Sequence, residues 1–294
     1  MIPKGFRPVI IASVCGPQCS SDEMLHFIES AAKNHPDLII LPEAWQGWKS
    51  ESSDHLALLQ IKEMAAHYRV NILHTVILDD SGKTYNSGLF VNREGTVTGR
   101  YDKAYPYWDE LSADIEVPTT PGVSPSVFDT DFGRVGIAVC FDANFPHIWA
   151  DMAEKGAELV VWPSAYAAGF QLAAHALNHH YTIVTASLTG HCMVFDIDGR
   201  RTLFTHCEGH HIEYITLDLD RCIFHENFND EKCKQLLTES PRQVEIEKHY
   251  PEEQWFIVRS AQSGVSAREI CRKAGMEELR DYKQRSREMI DKLR

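Results

Sequence analysis

Three short apolar runs in this chain stop abruptly on polar residues. Leu38-Ile39-Ile40-Leu41 ends on Pro42-Glu43, Leu159-Val160-Val161-Trp162 on Pro163-Ser164, and Val135-Gly136-Ile137-Ala138-Val139 on Cys140-Phe141-Asp142. Runs this short, unbroken and mostly aliphatic read as buried strands. Open α/β sheets hold their ligand sites at the carboxyl ends of such strands. Glu43 and Cys140 are therefore delivered to a sheet edge. A third group arrives the same way, because Thr96-Val97-Thr98 reads as a strand and leads through Arg100-Tyr101-Asp102 to Lys103 and a proline-rich loop. A thiol, a carboxylate and an ammonium are the parts that acyl transfer at a carbon–nitrogen bond requires.

The segments between these strands alternate in character. Pro8–Val14 reads as a first strand, and Ser21-Asp22-Glu23 as the start of a helix running to Asn34. A helix is expected over 56–68, a strand over 70–76, and a hairpin pairing 86–92 with 96–100. Helices over 147–155 and 171–180 then alternate with strands at 158–164, 182–187, 193–196 and 211–218. This order predicts the α/β class, with helices packed on the outer faces of the sheet. From Pro251 the character changes. Ser266 to Leu293 is highly charged, with an apolar residue every third or fourth position, so a helical extension over 251–294 is expected to follow a catalytic domain over 1–250, docked on a partner subunit.

Composition excludes several functions. The formal charge of −13, with no compensating basic stripe, argues against nucleic-acid binding. No apolar stretch reaches the length of a membrane span, and Met1-Ile2-Pro3-Lys4-Gly5 lacks the apolar region of an export signal. A cytoplasmic protein is the expectation, with its eight cysteines reduced.

Together these pieces resemble the nitrilase superfamily, the carbon–nitrogen hydrolases with a Glu-Lys-Cys triad. The resemblance rests on Leu41-Pro42-Glu43, on Tyr101-Asp102-Lys103 with Pro106, and on Gly136 to Asp142 with Phe145-Pro146. Trp162-Pro163-Ser164-Ala165 and Val194-Phe195-Asp196-Ile197-Asp198-Gly199 match later pieces in the same order, so it spans about residues 7–220. It implies a four-layer α-β-β-α sandwich of the nitrilase type, no cofactor and no metal, and a homodimer or larger homo-oligomer. It assigns Cys140 as nucleophile, Glu43 as base and Lys103 as the charge facing the oxyanion, with the Phe141 N–H as a second donor. A further glutamate between lysine and cysteine is implied, for which Glu110 is the better match by spacing and Glu116 the alternative.

Cys140-Phe141-Asp142 points to the amidase and carbamoyl-hydrolase branches, where true nitrilases carry tryptophan and glutamate after the cysteine. A small-molecule amide, cleaved through a thioester with release of ammonia, is the expected substrate. Phe141, Trp162, Tyr166 and Tyr107, with Trp108, are the expected pocket walls. Ala143-Asn144 stands where arginine would bind a substrate carboxylate, His147 replaces the glutamate after Phe-Pro, and the downstream helix carries His175, His179 and His180. Nitrile hydrolysis is one alternative. From another class, His206-Cys207-Glu208-Gly209-His210-His211 offers the ligand types of a metal-binding protein.

Overall fold

The computed structural model describes residues 8–52, 55–112 and 117–294. Contacts divide it into two compact units, the larger being Val9–Leu217. That unit opens with β1 (Val9–Cys15), α1 (Ser21–Ala32), β2 (Leu38–Ile40), β3 (Ser50–Glu51), α2 (Leu56–Tyr68), β4 (Asn71–Asp80), β5 (Lys83–Val91) and β6 (Val97–Asp102). There follow β7 (Ser126–Asp129), β8 (Arg134–Ile137), α3 (Pro146–Glu154), β9 (Leu159–Ser164), α4 (Phe170–His179), β10 (Thr182–Ser187), β11 (His191–Phe195), β12 (Arg201–His206) and β13 (His211–Leu217).

These strands form two sheets. The first runs β13-β1-β2-β4-β5-β6, with β3 paired to β4, and the second runs β12-β11-β10-β9-β8-β7. The apolar runs lie at the parallel centre of each sheet, β2 between β1 and β4 and β9 between β8 and β10. Strands buried on both faces carry no polar alternation. Met24, Ile28, Leu58 and Ile61 of α1 and α2 pack on Ile39 and Ile72 of the first sheet. Ile148, Trp149, Met152 and Leu172 of α3 and α4 pack on Val160 and Ile183 of the second. The inner faces meet where the Ser13 hydroxyl donates to the Thr185 carbonyl at 2.7 Å and Phe90 stacks on Phe128 at 6.1 Å. The larger unit is thus the expected four-layer α-β-β-α sandwich.

Local differences from the sequence reading have identifiable causes. The cap of α1 is Ser20, whose hydroxyl accepts from the Glu23 N–H while the Glu23 carboxylate accepts from the Ser20 N–H, a reciprocal capping box. Strand β8 stops at Ile137 and not at Val139, because the Val139 N–H leaves the sheet to donate to Asp142 Oδ2 although its backbone is still extended.

The smaller unit contains β14 (Cys222–His225), α5 (Glu226–Glu239), β15 (Val244–Tyr250), β16 (Trp255–Ser260), α6 (Ala267–Lys273) and α7 (Leu279–Asp291). Its sheet runs β14-β16-β15, around a core including Phe224, Leu236, Phe256, Val258 and Cys271. The expected boundary at 250/251 falls in the turn of the β15–β16 hairpin, whereas contacts divide the chain at 217/218. The tail is not wholly helical, since Trp255-Phe256-Ile257-Val258 is a strand. Its helical part is two helices, separated at Gly275, whose φ of 73° is left-handed. Among the described residues no helix is long and apolar enough to cross a membrane.

Candidate active site

Each site residue sits just past the end of a strand, held by the neighbouring strand's backbone. Beyond β2, Leu41 N–H donates to the Leu73 carbonyl at 3.1 Å and the Thr75 hydroxyl donates to the Pro42 carbonyl. Proline has no donor to extend the ladder, so the chain leaves the sheet at Glu43. Lys103 follows β6, its N–H donating to the Asn86 carbonyl and its carbonyl accepting from Gly122 N–H. Gly122 has to be glycine there, because a Cβ would lie 2.1 Å from the Asp102 carbonyl oxygen. Past β8, Ala138 N–H still reaches the Val161 carbonyl, and Cys140 then turns sharply with φ 48°. Left-handed backbone is uncommon for a residue other than glycine, and such strain is concentrated at functional sites.

These ends converge. Lys103 Nζ donates to Glu43 Oε1 at 2.9 Å and to Glu110 Oε1 at 2.5 Å, with all three side chains buried. Asn86 Nδ2 donates to Glu43 Oε1 at 2.7 Å and to Glu110 Oε2 at 3.3 Å. Ala165 N–H donates to Glu43 Oε2 at 2.8 Å, and Tyr107 N–H to Glu110 Oε1 at 3.0 Å. Between the two glutamates considered from spacing, Glu110 joins this network, while Glu116 lies outside the described residues. Sequence reasoning missed Asn86. Its signal was an amide two residues before Gly88 in a strand otherwise turning apolar.

The electrostatics follow from burial. Desolvation pushes the Lys103 ammonium down, but Glu43 and Glu110 outweigh it and hold the ammonium above its ordinary range. The Glu110 carboxyl is pushed up by burial, an effect that Lys103 opposes and Glu43 reinforces. Burial and then the Glu43 charge also raise the Cys140 thiol, against the pull of Lys103, the Ala165 N–H and the Ser164 hydroxyl. The resting sulfur is therefore a neutral thiol, and its attack on a carbonyl requires a base in reach.

The turn that carries Cys140 hangs on Asp142. Asp142 Oδ2 accepts from Val139 N–H at 2.8 Å and from the Tyr101 hydroxyl at 2.7 Å, and Oδ1 accepts from Tyr105 N–H at 2.9 Å. Burial pushes this carboxyl up to about 6 in spite of its donors. Trp162 Nε1 donates to the Cys140 carbonyl at 3.0 Å, and Trp149 Nε1 to the Asp142 carbonyl at 3.0 Å. His175 stacks on Trp149 at 4.3 Å, with Nε2 2.9 Å from the Ala143 carbonyl. His147 Nε2 lies 2.8 Å from the Tyr105 hydroxyl. In Asp142→Asn, the side-chain amide must face either Val139 N–H or Tyr105 N–H, donor against donor. The expected loss is about 1–3 kcal/mol of stability in denaturant unfolding, with Tm lowered. An unchanged midpoint would show that the turn does not depend on this carboxylate.

Glu43, Glu110 and Cys140 line a cavity of about 800 Å³. Of the expected walls, Tyr107, Phe141 and Tyr166 line it, with Tyr107 edge-to-face on Phe141 at 5.4 Å. Trp162 does not. It is fully buried behind Tyr166, at 5.3 Å, because its indole N–H is drawn to the Cys140 carbonyl. Trp108 is 66% exposed and is not part of the lining either. Trp48, Asp109, Val117 and Gln171, which no motif marked, complete the wall with Asn144 and Ala165. Gln171 Nε2 donates to Asn144 Oδ1 at 2.6 Å, and Asn144 Nδ2 donates to the Phe141 carbonyl at 3.1 Å.

The histidine-rich stretch is arranged differently. His206 stacks on His191 at 4.2 Å, and His210 stacks on Phe27 at 4.7 Å with Nε2 2.7 Å from the Pro17 carbonyl. Among the described residues no three His, Cys, Asp or Glu side chains are grouped to hold a metal ion. All eight cysteines are unbridged.

Glu43, Lys103 and Cys140 thus all sit just past strand ends of one sandwich. The family model described as "Carbon-nitrogen hydrolase" matches residues 21–224, and the chain belongs to that family. Similar curated proteins include "Nitrilase homolog 2" of Dictyostelium discoideum, 27% identical over 186 residues, covering 55% of this chain and 55% of that protein. "Omega-amidase NIT2" of Homo sapiens is 28% identical over 159 residues, covering 48% of this chain and 55% of that protein. The chain thus spans little more than half the length of these two relatives. Among solved structures, Saccharomyces cerevisiae Nit3 shares the fold with a TM-score of 0.64 at 19% identity, covering 81% of this chain and 96% of that one. An amidase from Nesterenkonia sp. does so with a TM-score of 0.63 at 17% identity, covering 80% and 97%.

Proposed function

We propose that the protein hydrolyses the carbon–nitrogen bond of a small amide or carbamoyl compound, releasing ammonia through a thioester on Cys140. The observation that carries this reading is the single buried grouping of Glu43, Lys103 and Glu110, with Glu43 and Glu110 lining the same cavity as Cys140. In the first step, Sγ attacks the carbonyl carbon and its proton passes to Glu43. The oxyanion faces the Lys103 ammonium and the Phe141 N–H. Collapse breaks the carbon–nitrogen bond, and the leaving nitrogen takes the proton from Glu43, departing as ammonia. Water then gives a proton to Glu43 as its oxygen attacks the thioester, and the acid product leaves as the thiol is restored. General acid–base assistance of this kind is worth about 10²–10⁴-fold. Glu110 holds the lysine in place and orients the substrate nitrogen. Phe141 and Tyr166 form walls for the acyl part.

Several curated relatives are omega-amidases, which favours amides over nitriles. The enzyme is proposed to act in the cytoplasm as a homo-oligomer, which light scattering would test. The chemical test is mass spectrometry of acid-quenched protein after exposure to a simple amide. The expected result is an added acyl mass on the Cys140 peptide together with free ammonia. Ammonia without that adduct under burst conditions would remove Cys140 from the mechanism, and faster turnover of the matching nitrile would reverse the choice of bond.

A further inference from the structure

We propose that the amide admitted to this cavity carries a cationic tail, an organic ammonium, rather than a carboxylate. This rests on the hydrolase reading above and concerns only the end of the substrate remote from the reacting carbonyl. The described residues lining the cavity include no lysine, arginine or histidine. The nearby cation, Lys103, has a side chain with 0% exposure, held at 2.9 Å by Glu43 and 2.5 Å by Glu110. Its charge is committed to the reacting end and to its two carboxylates, so a second carboxylate on the substrate would find no basic partner among the described lining residues.

What the wall does present suits a cation. Trp48, Tyr107, Phe141 and Tyr166 contribute four aromatic rings, and the face of an aromatic ring attracts an ammonium. Asp109 adds a carboxylate on an exposed residue of the wall, next in sequence to Glu110. Glu110 is already bound to Lys103 and Asn86, which leaves Asp109 as the carboxylate suited to the tail. A carboxylate tail would instead enter a cavity whose described acidic wall groups share its sign, where like charges repel. The arrangement therefore discriminates by attraction of one tail and repulsion of the other.

The test uses the full chain with three amides of one chain length, bearing an ω-amino group, no substituent or an ω-carboxylate. The kcat/KM is expected to fall in that order, with the ω-amino amide ahead of the ω-carboxy amide by about tenfold or more, the scale of a cation over aromatic faces beside one carboxylate. High salt should shrink the preference, and Asp109→Asn should bring the ratio of ω-amino to unsubstituted amide toward unity. Equal or faster turnover of the ω-carboxy amide would overturn the inference while leaving the hydrolase reading intact. An unchanged ratio in Asp109→Asn would overturn the role of that carboxylate. Ammonia from none of the three, with Cys140 unacylated, would overturn the hydrolase reading and this inference with it.

Discussion

Cys140→Ala is expected to abolish ammonia release while leaving the protein folded. Loss of a covalent nucleophile in a comparable acyl-transfer machine costs on the order of 10⁶-fold in turnover. The fold should tolerate the change because the turn is not held by sulfur. Its backbone is held by the Trp162 indole at the Cys140 carbonyl, by Asp142 at Val139 N–H and by Trp149 at the Asp142 carbonyl. A stability change within about 1 kcal/mol is expected, since only one small side-chain atom is removed. Cys140→Ser keeps a hydroxyl in place but should be nearly as inactive, because the alcohol is a far weaker nucleophile at neutral pH. Substituting Cys15 or Cys192, both buried between strand ends of the sandwich, should leave the catalytic chemistry in place. Ammonia release by folded Cys140→Ala at the wild-type rate would assign the chemistry to another group.

Lys103→Met is expected to lose both activity and stability. Methionine matches the length of the lysine stem and leaves Glu43 and Glu110 facing each other, with only Asn86 donating to both. Breaking a buried ion pair by removing one partner typically costs about 3–5 kcal/mol. The loss should depend on pH. Without the ammonium, at least one of the two carboxyls takes a folded-state pKa well above its unfolded value, because two like charges cannot both ionise in so small a space. A carboxyl raised in this way stabilises the fold below its unfolded pKa and loses that contribution as pH rises through the folded value. The gap between wild type and Lys103→Met should therefore widen from acidic toward neutral pH in denaturant titrations. Adding Glu110→Gln to Lys103→Met should recover part of the stability and none of the turnover, which separates the structural role of the ammonium from its role at the oxyanion. Equal activity of Lys103→Met and wild type would show that the oxyanion is stabilised elsewhere.

Much of the site was legible because its residues follow strands that announce themselves. An apolar run stopped by proline or by a small polar turn locates the end of a sheet strand by local physics alone, and this placed Glu43 and Cys140. Lys103 was legible from the strand and motif before it. Asn86 was not, because one amide inside a strand acquires meaning only from the two carboxylates it bridges. Trp162 was read as a wall because it lies in a matched motif. Its indole nitrogen instead found the carbonyl of the nucleophile, across a parallel pairing that sequence spacing does not display. The tail was read as wholly helical from its last thirty or so residues, and the hairpin of β15 and β16 went unseen because it pairs with β14, upstream of the composition change.

What the amino-acid order determined by itself was most of the strands and helices of the larger unit, the strand ends that carry a thiol, a carboxylate and an ammonium, and the family they resemble. These depend on short-range causes, namely side-chain periodicity, backbone donors and turn-forming residues. Tertiary structure alone decided that Glu110 is the carboxylate paired with Lys103, that Asn86 ties the pair together, and that the cavity wall is aromatic and acidic. Those outcomes depend on distances between residues far apart in the chain, which the packing of two sheets sets and no local pattern encodes.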